Sequence, residues 1–203
     1  MVGSFPRSYD GVQRAFHWII AALIIAALAL GLSAYYLLEE GPTVGRVVFI
    51  HKSIGMTALV LAALRILYRL AVGSPPYAKP LGWLVHKAAG AGHFALYMLM
   101  VALPVAGYVG SSAGGHDIPW FGVFNFPSLA PHDRAIAHSA GAAHFWLAWA
   151  LIVVLALHLA AVCWHTFVRR DEVLSRMWPS RAASGRAEPA GFRGGRFRAM
   201  IGR

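Results

Sequence analysis

Two histidines, His144 and His158, lie fourteen residues apart in the last long apolar stretch of the chain. At about 3.6 residues per turn this spacing is close to four full turns, so both side chains project from one face of a helix. The rise of about 1.5 Å per residue separates them by roughly 21 Å along the helix axis. Imidazole side chains ligate metals and carry protons. The spacing therefore predicts two sites with this chemistry, one at each of two depths.

Two further histidines, His17 and His51, lie near the starts of the first two apolar stretches. The sequence has four such stretches, at about 16–38, 47–70, 91–111 and 142–168. Each reaches the roughly 20 residues that a helix needs to cross a bilayer. Of the 203 residues, 58% are hydrophobic and only 13% are charged, which is typical of a small helical membrane protein. The sequence predicts an all-α membrane protein built as a four-transmembrane-helix bundle.

The basic residues are divided unevenly between the two ends of the predicted helices. If the N-terminus is cytoplasmic, fifteen of the 18 lysines and arginines lie on the cytoplasmic side, and only Arg46, Lys52 and Arg134 lie outside. Lysine and arginine are enriched on the cytoplasmic side of membrane proteins. We therefore expect a multi-pass protein with both termini in the cytoplasm. This surplus indicates contact with lipid head groups and not with nucleic acid.

Residues 1–178 are expected to form one transmembrane domain. The remainder, 179–203, is rich in arginine, glycine and alanine without apolar periodicity, which predicts a disordered cytoplasmic tail. The start of the chain allows a second interpretation, because Arg7 and Arg14 precede an apolar run and small residues, as in a secretory signal. The run is long for a signal, and cleavage would discard His17.

The predicted topology assigns the four histidines to two depths. His17 and His158 lie toward the cytoplasmic side, whereas His51 and His144 lie toward the outer side. Two axial imidazoles from facing helices hold a haem iron in a state suited to electron transfer. The sequence therefore predicts two haem b groups, with the axial pairs His17/His158 and His51/His144. Since Cys163 is the only cysteine, a covalent C-x-x-C-H attachment is excluded.

Other chemistries fit the four histidines less well. Zinc favours ligands clustered at one depth with cysteine or carboxylate partners, which these pairs lack. A di-iron bundle needs glutamate or aspartate within its helices, and none lies in the four apolar stretches. A histidine proton relay, as in a small transporter, stays open.

Several polar residues are candidates for supporting contacts to a haem. Arg65 and Arg69 end the second helix at the depth of the cytoplasmic-side pair, where they either snorkel to the interface or bind a haem propionate. His93 opens the third helix and is a candidate for the same role. His165 follows His158 by seven residues on the same face. It could contact a propionate or a quinone, or replace His158 as ligand.

The connection at about 112–141 is the longest in the predicted fold. It interleaves Trp120, Phe121 and Phe124 with glycine and proline residues. Loops of this length often carry function, and aromatic residues at this depth also form interfacial belts. Both interpretations stay open from the sequence.

The order and spacing of these motifs resemble the bacterial cytochrome b561 family, of the four-helix, di-haem inner-membrane type. The resemblance runs from about residue 9 to 178 and places the family's haem ligands on His17, His51, His144 and His158. The matching stretches are Arg14-Ala15-Phe16-His17-Trp18, His51-Lys52-Ser53-Ile54-Gly55, Arg65-Ile66-Leu67-Tyr68-Arg69, Gly92-His93-Phe94-Ala95-Leu96-Tyr97, Leu103-Pro104-Val105-Ala106-Gly107, Trp120-Phe121-Gly122 and Arg169-Arg170-Asp171.

The resemblance implies electron transfer between a periplasmic-side donor and the ubiquinone pool of the bacterial inner membrane. One branch of the family oxidises superoxide and passes the electron to ubiquinone, which is superoxide:ubiquinone oxidoreductase activity. In such an enzyme, Lys52 and Arg134 would attract the superoxide anion. Other members look like haem-containing membrane anchors that relay electrons for a partner oxidoreductase subunit. Phe145 replaces the acidic residue expected after the outer ligand, and Thr166 replaces a histidine that often follows His165. These departures leave the donor and quinone sites open.

Overall fold

The computed structural model describes residues 8–75 and 82–178. Within these residues, four helices are long and apolar enough to cross a bilayer, which confirms the predicted all-α membrane bundle. The helices are α1 (Gly11–Tyr36), α2 (Pro42–Val72), α3 (Trp83–Ala113) and α4 (Arg134–Cys163). A π-helical turn, Trp164–Arg169, continues α4. The predicted tail at 179–203 lies outside the described residues.

Each helix begins earlier than the apolar stretch that predicts it. The side chain of Asp10 accepts a hydrogen bond from the backbone N–H of Gln13 at 2.9 Å and caps α1, and Asp133 caps α4 in the same way. Pro42 occupies the first turn of α2, where its missing N–H costs nothing. Hydropathy marks only the part of a helix that crosses the lipid, whereas capping residues set where it starts. The predicted starts were therefore too late.

The helices pack in chain order, α1 on α2, α2 on α3 and α3 on α4, and in the described part of the chain α1 and α4 share no comparable interface. Few side chains are buried inside the bundle, and its outer surface is apolar, as expected for helices that face lipid. Leu151 is 2% exposed and lies halfway between His144 and His158 on α4. It forms part of an apolar layer between the two histidine depths.

The α3–α4 connection folds into a small β-hairpin that the sequence did not predict. Strands β1 (Ile118–Trp120) and β2 (Phe124–Phe126) pair antiparallel, with Trp120 opposite Phe124. Each strand has only three residues, and the first contains Pro119. Such short strands show too little alternation of polar and apolar residues to be recognised in a sequence. We call this end of the bundle the hairpin end.

The last described residues fold back on the start of α1. The indole N–H of Trp18 donates to the carbonyl oxygen of Met177 at 2.8 Å, and the backbone N–H of Tyr9 donates to the carbonyl of Arg176 at 3.2 Å. The rings of Trp18 and Trp178 are in contact, with centroids 5.7 Å apart. Both ends of the described chain therefore lie at one end of the bundle, which we call the terminal end.

Candidate functional site

The hairpin-side pair consists of His51 on α2 and His144 on α4. Their imidazole centroids are 5.9 Å apart, and the ring planes are nearly perpendicular at 83°. Two imidazoles bound to one metal through bonds of about 2.0 Å have their ring centres roughly 6 Å apart. The structure thus brings together two residues that are far apart in the sequence at the separation that axial ligation requires.

Hydrogen bonds to neighbouring helices hold both rings of the hairpin-side pair. Nδ1 of His51 lies 2.9 Å from the carbonyl oxygen of Ala27 on α1, and Nδ1 of His144 lies 2.9 Å from that of Leu103 on α3. A carbonyl oxygen only accepts, so each Nδ1 carries the proton and donates. Each Nε2 therefore keeps its lone pair free for a metal, as in metal sites where a second contact fixes the tautomer.

Two mostly apolar cavities flank the hairpin-side pair. One of about 250 Å³ lies between α1 and α4, and one of about 270 Å³ lies between α2, α3 and the hairpin. Both are lined by the two histidines and by Gly55 and Gly141, where an added Cβ would meet nothing within 4 Å. A haem held by this pair would need space on either side of it. Space on both sides of the pair, without side chains from these two glycines, fits such a group.

The terminal-side cluster contains three histidines instead of two. The ring centroid of His158 on α4 lies 6.5 Å from that of His17 on α1 and 5.7 Å from that of His93 on α3. Both separations are compatible with axial pairs. His93 donates through Nδ1 to the carbonyl oxygen of Ala89, one turn earlier on its own helix, at 2.7 Å. In the part of the chain that the structure describes, the ring nitrogens of His17 and His158 have no hydrogen-bond partner.

The sequence predicted a supporting role for His93 because it was expected to open the third helix. The structure places it well inside α3, which begins at Trp83. Its distance from His158 makes it a geometric rival to His17. Within the described residues, no three histidine, cysteine, aspartate or glutamate side chains lie close enough together to hold a metal ion.

Arg65 and Arg69 tie the end of α2 to the start of α1. Arg65 donates to the backbone carbonyl of Gln13 and Arg69 to its side-chain oxygen, both at 3.3 Å. The Arg65 guanidinium also lies over the ring of Tyr97, 5.9 Å from its centroid, and its hydrogen bond to Gln13 places its charge one helical turn before His17. The predicted position of these arginines at the depth of the terminal-side cluster is consistent with these contacts.

His165 is paired with Asp171. Its Nδ1 lies 2.6 Å from Oδ2 of Asp171. His165 lies inside the π-helical turn, and Asp171 follows that turn and a left-handed residue, Arg170, with φ of 51°. Burial alone would raise the pKa of the Asp171 carboxyl, but the hydrogen bonds from His165 and the backbone of Val173, with the charge of Arg169, hold it below its usual value. Asp171 was known from the sequence only as part of a motif.

The two cations proposed to attract an anion occupy different surroundings. The Lys52 ammonium donates to the carbonyl oxygen of Asp117 at 2.9 Å, and Lys52 lines the 270 Å³ cavity beside His51. Arg134 is exposed at the first residue of α4, at the hairpin end. Lys52 is thus placed at the pair itself, whereas Arg134 lies at the surface.

Ser53 is a further residue that sequence reasoning missed. It is 0% exposed, and its hydroxyl oxygen accepts from the backbone N–H of Phe121 at 3.0 Å. The single hydroxyl proton is shared between the carbonyl oxygens of Phe49 and Pro119, which lie 3.0 and 3.1 Å away. It therefore anchors the hairpin on α2, two residues after His51. A serine inside an apolar stretch next to a histidine was the only available signal.

Over residues 8–180 the chain matches the family described as prokaryotic cytochrome b561. The chain belongs to this family. It is 36% identical over 173 residues to "Cytochrome b561 homolog 2" of Escherichia coli (strain K12), which covers 85% of this chain and 92% of that protein. It is 29% identical over 176 residues to "Probable superoxide oxidase CybB" of Yersinia pestis, which covers 86% and 98%.

Membership of the cytochrome b561 family confirms the resemblance seen in the sequence motifs. The protein is an integral inner-membrane protein that binds b-type haem and transfers electrons in the membrane. When bound, haem supplies one-electron redox chemistry, and the protein supplies ligands, orientation and local charge. The imidazole separations, the free Nε2 atoms and the two cavities fit that group.

Proposed function

We propose that this chain is a di-haem cytochrome b, with axial ligands His51 and His144 at the hairpin end and His17 and His158 at the terminal end. The observation that carries the proposal is the pairing of imidazoles from different helices at two depths, with centroids 5.9 and 6.5 Å apart. A proton relay does not need imidazoles paired at this separation or cavities beside them. Bis-imidazole ligation needs both.

We place the terminal end in the cytoplasm and the hairpin end in the periplasm, because most lysines and arginines in the described part of the chain lie at the terminal end. The donor site is then at the hairpin end and the quinone site at the terminal end. A fusion of each terminus to a reporter that is active only outside the membrane tests this arrangement. Activity of a terminal fusion would contradict it.

Superoxide is the donor that the hairpin end supports best. Lys52 on α2 brings a positive charge to the cavity beside His51, and Tyr108 and Ser111 on α3 line the same cavity. A positive charge at the rim of a site raises the local concentration of an anion and its association rate. The balanced reaction is two superoxide anions, one quinone and two protons giving two molecules of dioxygen and one quinol.

The His165–Asp171 pair suits the proton side of this reaction. Quinone reduction consumes two protons, and an imidazole held by a carboxylate is a common general acid. We propose that His165 delivers protons to quinone at the terminal end and does not ligate a haem. His165→Ala should keep both haems and slow quinone reduction by about 100-fold, whereas Thr166→Ala beside it should change neither. Loss of a haem from His165→Ala would reassign it as a ligand.

Rapid mixing of the purified full-length protein with enzymatically generated superoxide tests the donor. We expect the haem bands to become reduced, the reduction to be abolished by superoxide dismutase, and added ubiquinone analogue to reoxidise them. Lys52→Gln should lower the reduction rate by about 3- to 10-fold at low ionic strength. Arg46→Gln is the matched control, since Arg46 lies on the same helix and its side chain bonds the carbonyl oxygen of Pro42 in the first turn of that helix.

The rival function is a membrane anchor that relays electrons for a partner oxidoreductase subunit. The observation in its favour is the exposed tip of the hairpin, where Phe121, Val123 and Phe124 are 48%, 72% and 48% exposed. Under this function the isolated protein would hold haem but react slowly with superoxide. A co-purifying subunit that restores fast reduction of the haem would then show that the protein is such an anchor.

A further inference from the structure

The two hydrogen bonds that hold the hairpin-side pair share one local arrangement. On α1, the carbonyl of Ala27 accepts from His51, and Gly31 lies four residues later. On α3, the carbonyl of Leu103 accepts from His144, and Gly107 lies four residues later. In an α-helix, the side chain at position i+4 lies beside the carbonyl of residue i. Each accepting carbonyl is therefore next to a residue that has no side chain.

Both glycines are in direct contact with the imidazole that uses the carbonyl. A Cβ added to Gly31 would lie 3.0 Å from Cε1 and 3.3 Å from Nδ1 of His51. A Cβ added to Gly107 would lie 2.8 Å from Nδ1 and 2.9 Å from Cε1 of His144. Contacts this short force a ring to retreat by several tenths of an ångström. The Nδ1–carbonyl bonds, at 2.9 Å now, would then be stretched toward the limit of hydrogen bonding.

We propose that Gly31 and Gly107 are positioning residues for the hairpin-side haem. By leaving the carbonyls of Ala27 and Leu103 accessible, they let each imidazole donate from Nδ1 to a neighbouring helix. The two bonds fix the tautomer with Nε2 free and hold the ring planes at 83° to each other. This inference rests on the proposed function, since it concerns the ligands of a haem at this end.

The alternative explanation is that the two glycines only permit close helix packing. Glycine in a helix interior destabilises that helix relative to alanine. Replacing a glycine that has no specific role there by alanine should therefore stabilise the protein. Gly90, on the same helix as Gly107, is such a case, because a Cβ there would meet nothing within 4 Å. It is the matched control for α3.

The experiment compares full-length Gly107→Ala, Gly31→Ala and Gly90→Ala, each purified with haem. One readout is the electron paramagnetic resonance spectrum, because the low-spin ferric signal changes with the angle between the two imidazole planes. The other is the rate of haem transfer to an excess of apomyoglobin. We expect Gly107→Ala to shift the signal of one haem and to speed its transfer by about tenfold. Gly31→Ala should show a smaller change in the same haem, and Gly90→Ala none.

The outcomes separate the inference from the proposed function. A wild-type protein without haem would overturn both. Two haems in the wild type, with unchanged signals and transfer rates in Gly107→Ala and Gly31→Ala, would overturn only the positioning role. A variant that merely loosened helix packing would lower thermal stability without a shift in the resonance signal, which also counts against the inference. If Gly107→Ala does not accumulate in the cell, the same two measurements on Gly31→Ala test the inference. The Cβ added in Gly31→Ala lies slightly farther from its imidazole, so the ring of His51 has to move less.

Discussion

The hairpin-side pair and the terminal-side cluster use the same side chain in differently built surroundings. At the hairpin end, two imidazoles donate to carbonyls of two other helices, so all four helices fix one pair. At the terminal end, three imidazoles converge, and within the described residues the one hydrogen bond that any of these rings makes runs from His93 to Ala89 on its own helix. Backbone carbonyls restrain the first site, whereas the second has a spare histidine and nearby arginines.

This difference has a consequence for the direction of electron flow. A hydrogen bond from Nδ1 to a carbonyl makes an axial imidazole more basic, which stabilises the ferric state and lowers the reduction potential. Positive charge near the haem proposed at the terminal end, such as that of Arg65, which bonds Gln13 one turn before His17, would stabilise the ferrous state and raise the potential. Electrons should therefore move downhill from the hairpin end to the terminal end.

The largest effect is expected from removing the ligand that the terminal-side cluster shares. His158→Ala should lose one of two haems completely, because both candidate partners face it. His17→Ala should lose the same haem, and His93→Ala should keep it with a shifted spectrum. Haem-to-protein ratios and optical spectra measure this. If His17→Ala kept this haem and His93→Ala lost it, His93 would be the ligand and His17 the supporting residue.

A smaller effect is expected on the reduction potential of the terminal-side haem. Arg65→Gln removes the positive charge held at Gln13, one turn before His17, and should lower this potential by an amount on the order of tens of millivolts. The hairpin-side potential should stay unchanged. A redox titration followed optically resolves the two components. Arg46→Gln, at the other end of the same helix, is the control, and an equal shift of both haems would contradict the assignment.

The hairpin should detach from α2 when its buried anchor is removed. Ser53→Ala leaves the backbone N–H of Phe121 without its partner inside the protein, which costs about 1–3 kcal/mol. Thermal unfolding in detergent measures the loss. Ser33→Ala is the control, because the Ser33 hydroxyl donates to the carbonyl of Ala29 one turn earlier on its own helix and not to the hairpin. Equal stability of the two variants would show that the hairpin does not depend on Ser53.

The smallest effect concerns pH. The folded-state pKa of Asp171 lies below its ordinary value of 3.8, so the carboxylate stabilises the fold above this pH, and the contribution is lost as pH falls through the folded pKa. The contribution of this partly exposed pair is about 1 kcal/mol or less. Asp171→Asn should therefore lower stability at about pH 6 and flatten its fall toward about pH 3. Parallel curves for the variant and the wild type would contradict the pair's role.

The sequence was sufficient for the bundle and for the depths of the four histidines. Long apolar runs predict spanning helices, and histidine positions on successive antiparallel helices predict which rings share a depth. The sequence could not rank His93 against His17, because helix rotation and the true start of α3 decide whether a residue faces the cluster. The sequence also could not predict that Ala27 and Leu103 accept hydrogen bonds from the histidines. Their acceptors are backbone carbonyls, which every residue type has. The hairpin was missed because its strands are too short for a periodic signal.

A haem count combined with one substitution tests the central claim most directly. The pyridine haemochrome assay on the purified wild-type protein should give two b-type haems per chain, and His144→Ala should give one, with the terminal-side spectrum retained. His51→Ala should remove the same component. A wild-type protein without haem, or a His144→Ala variant that still holds two, would contradict the assignment of the hairpin-side pair.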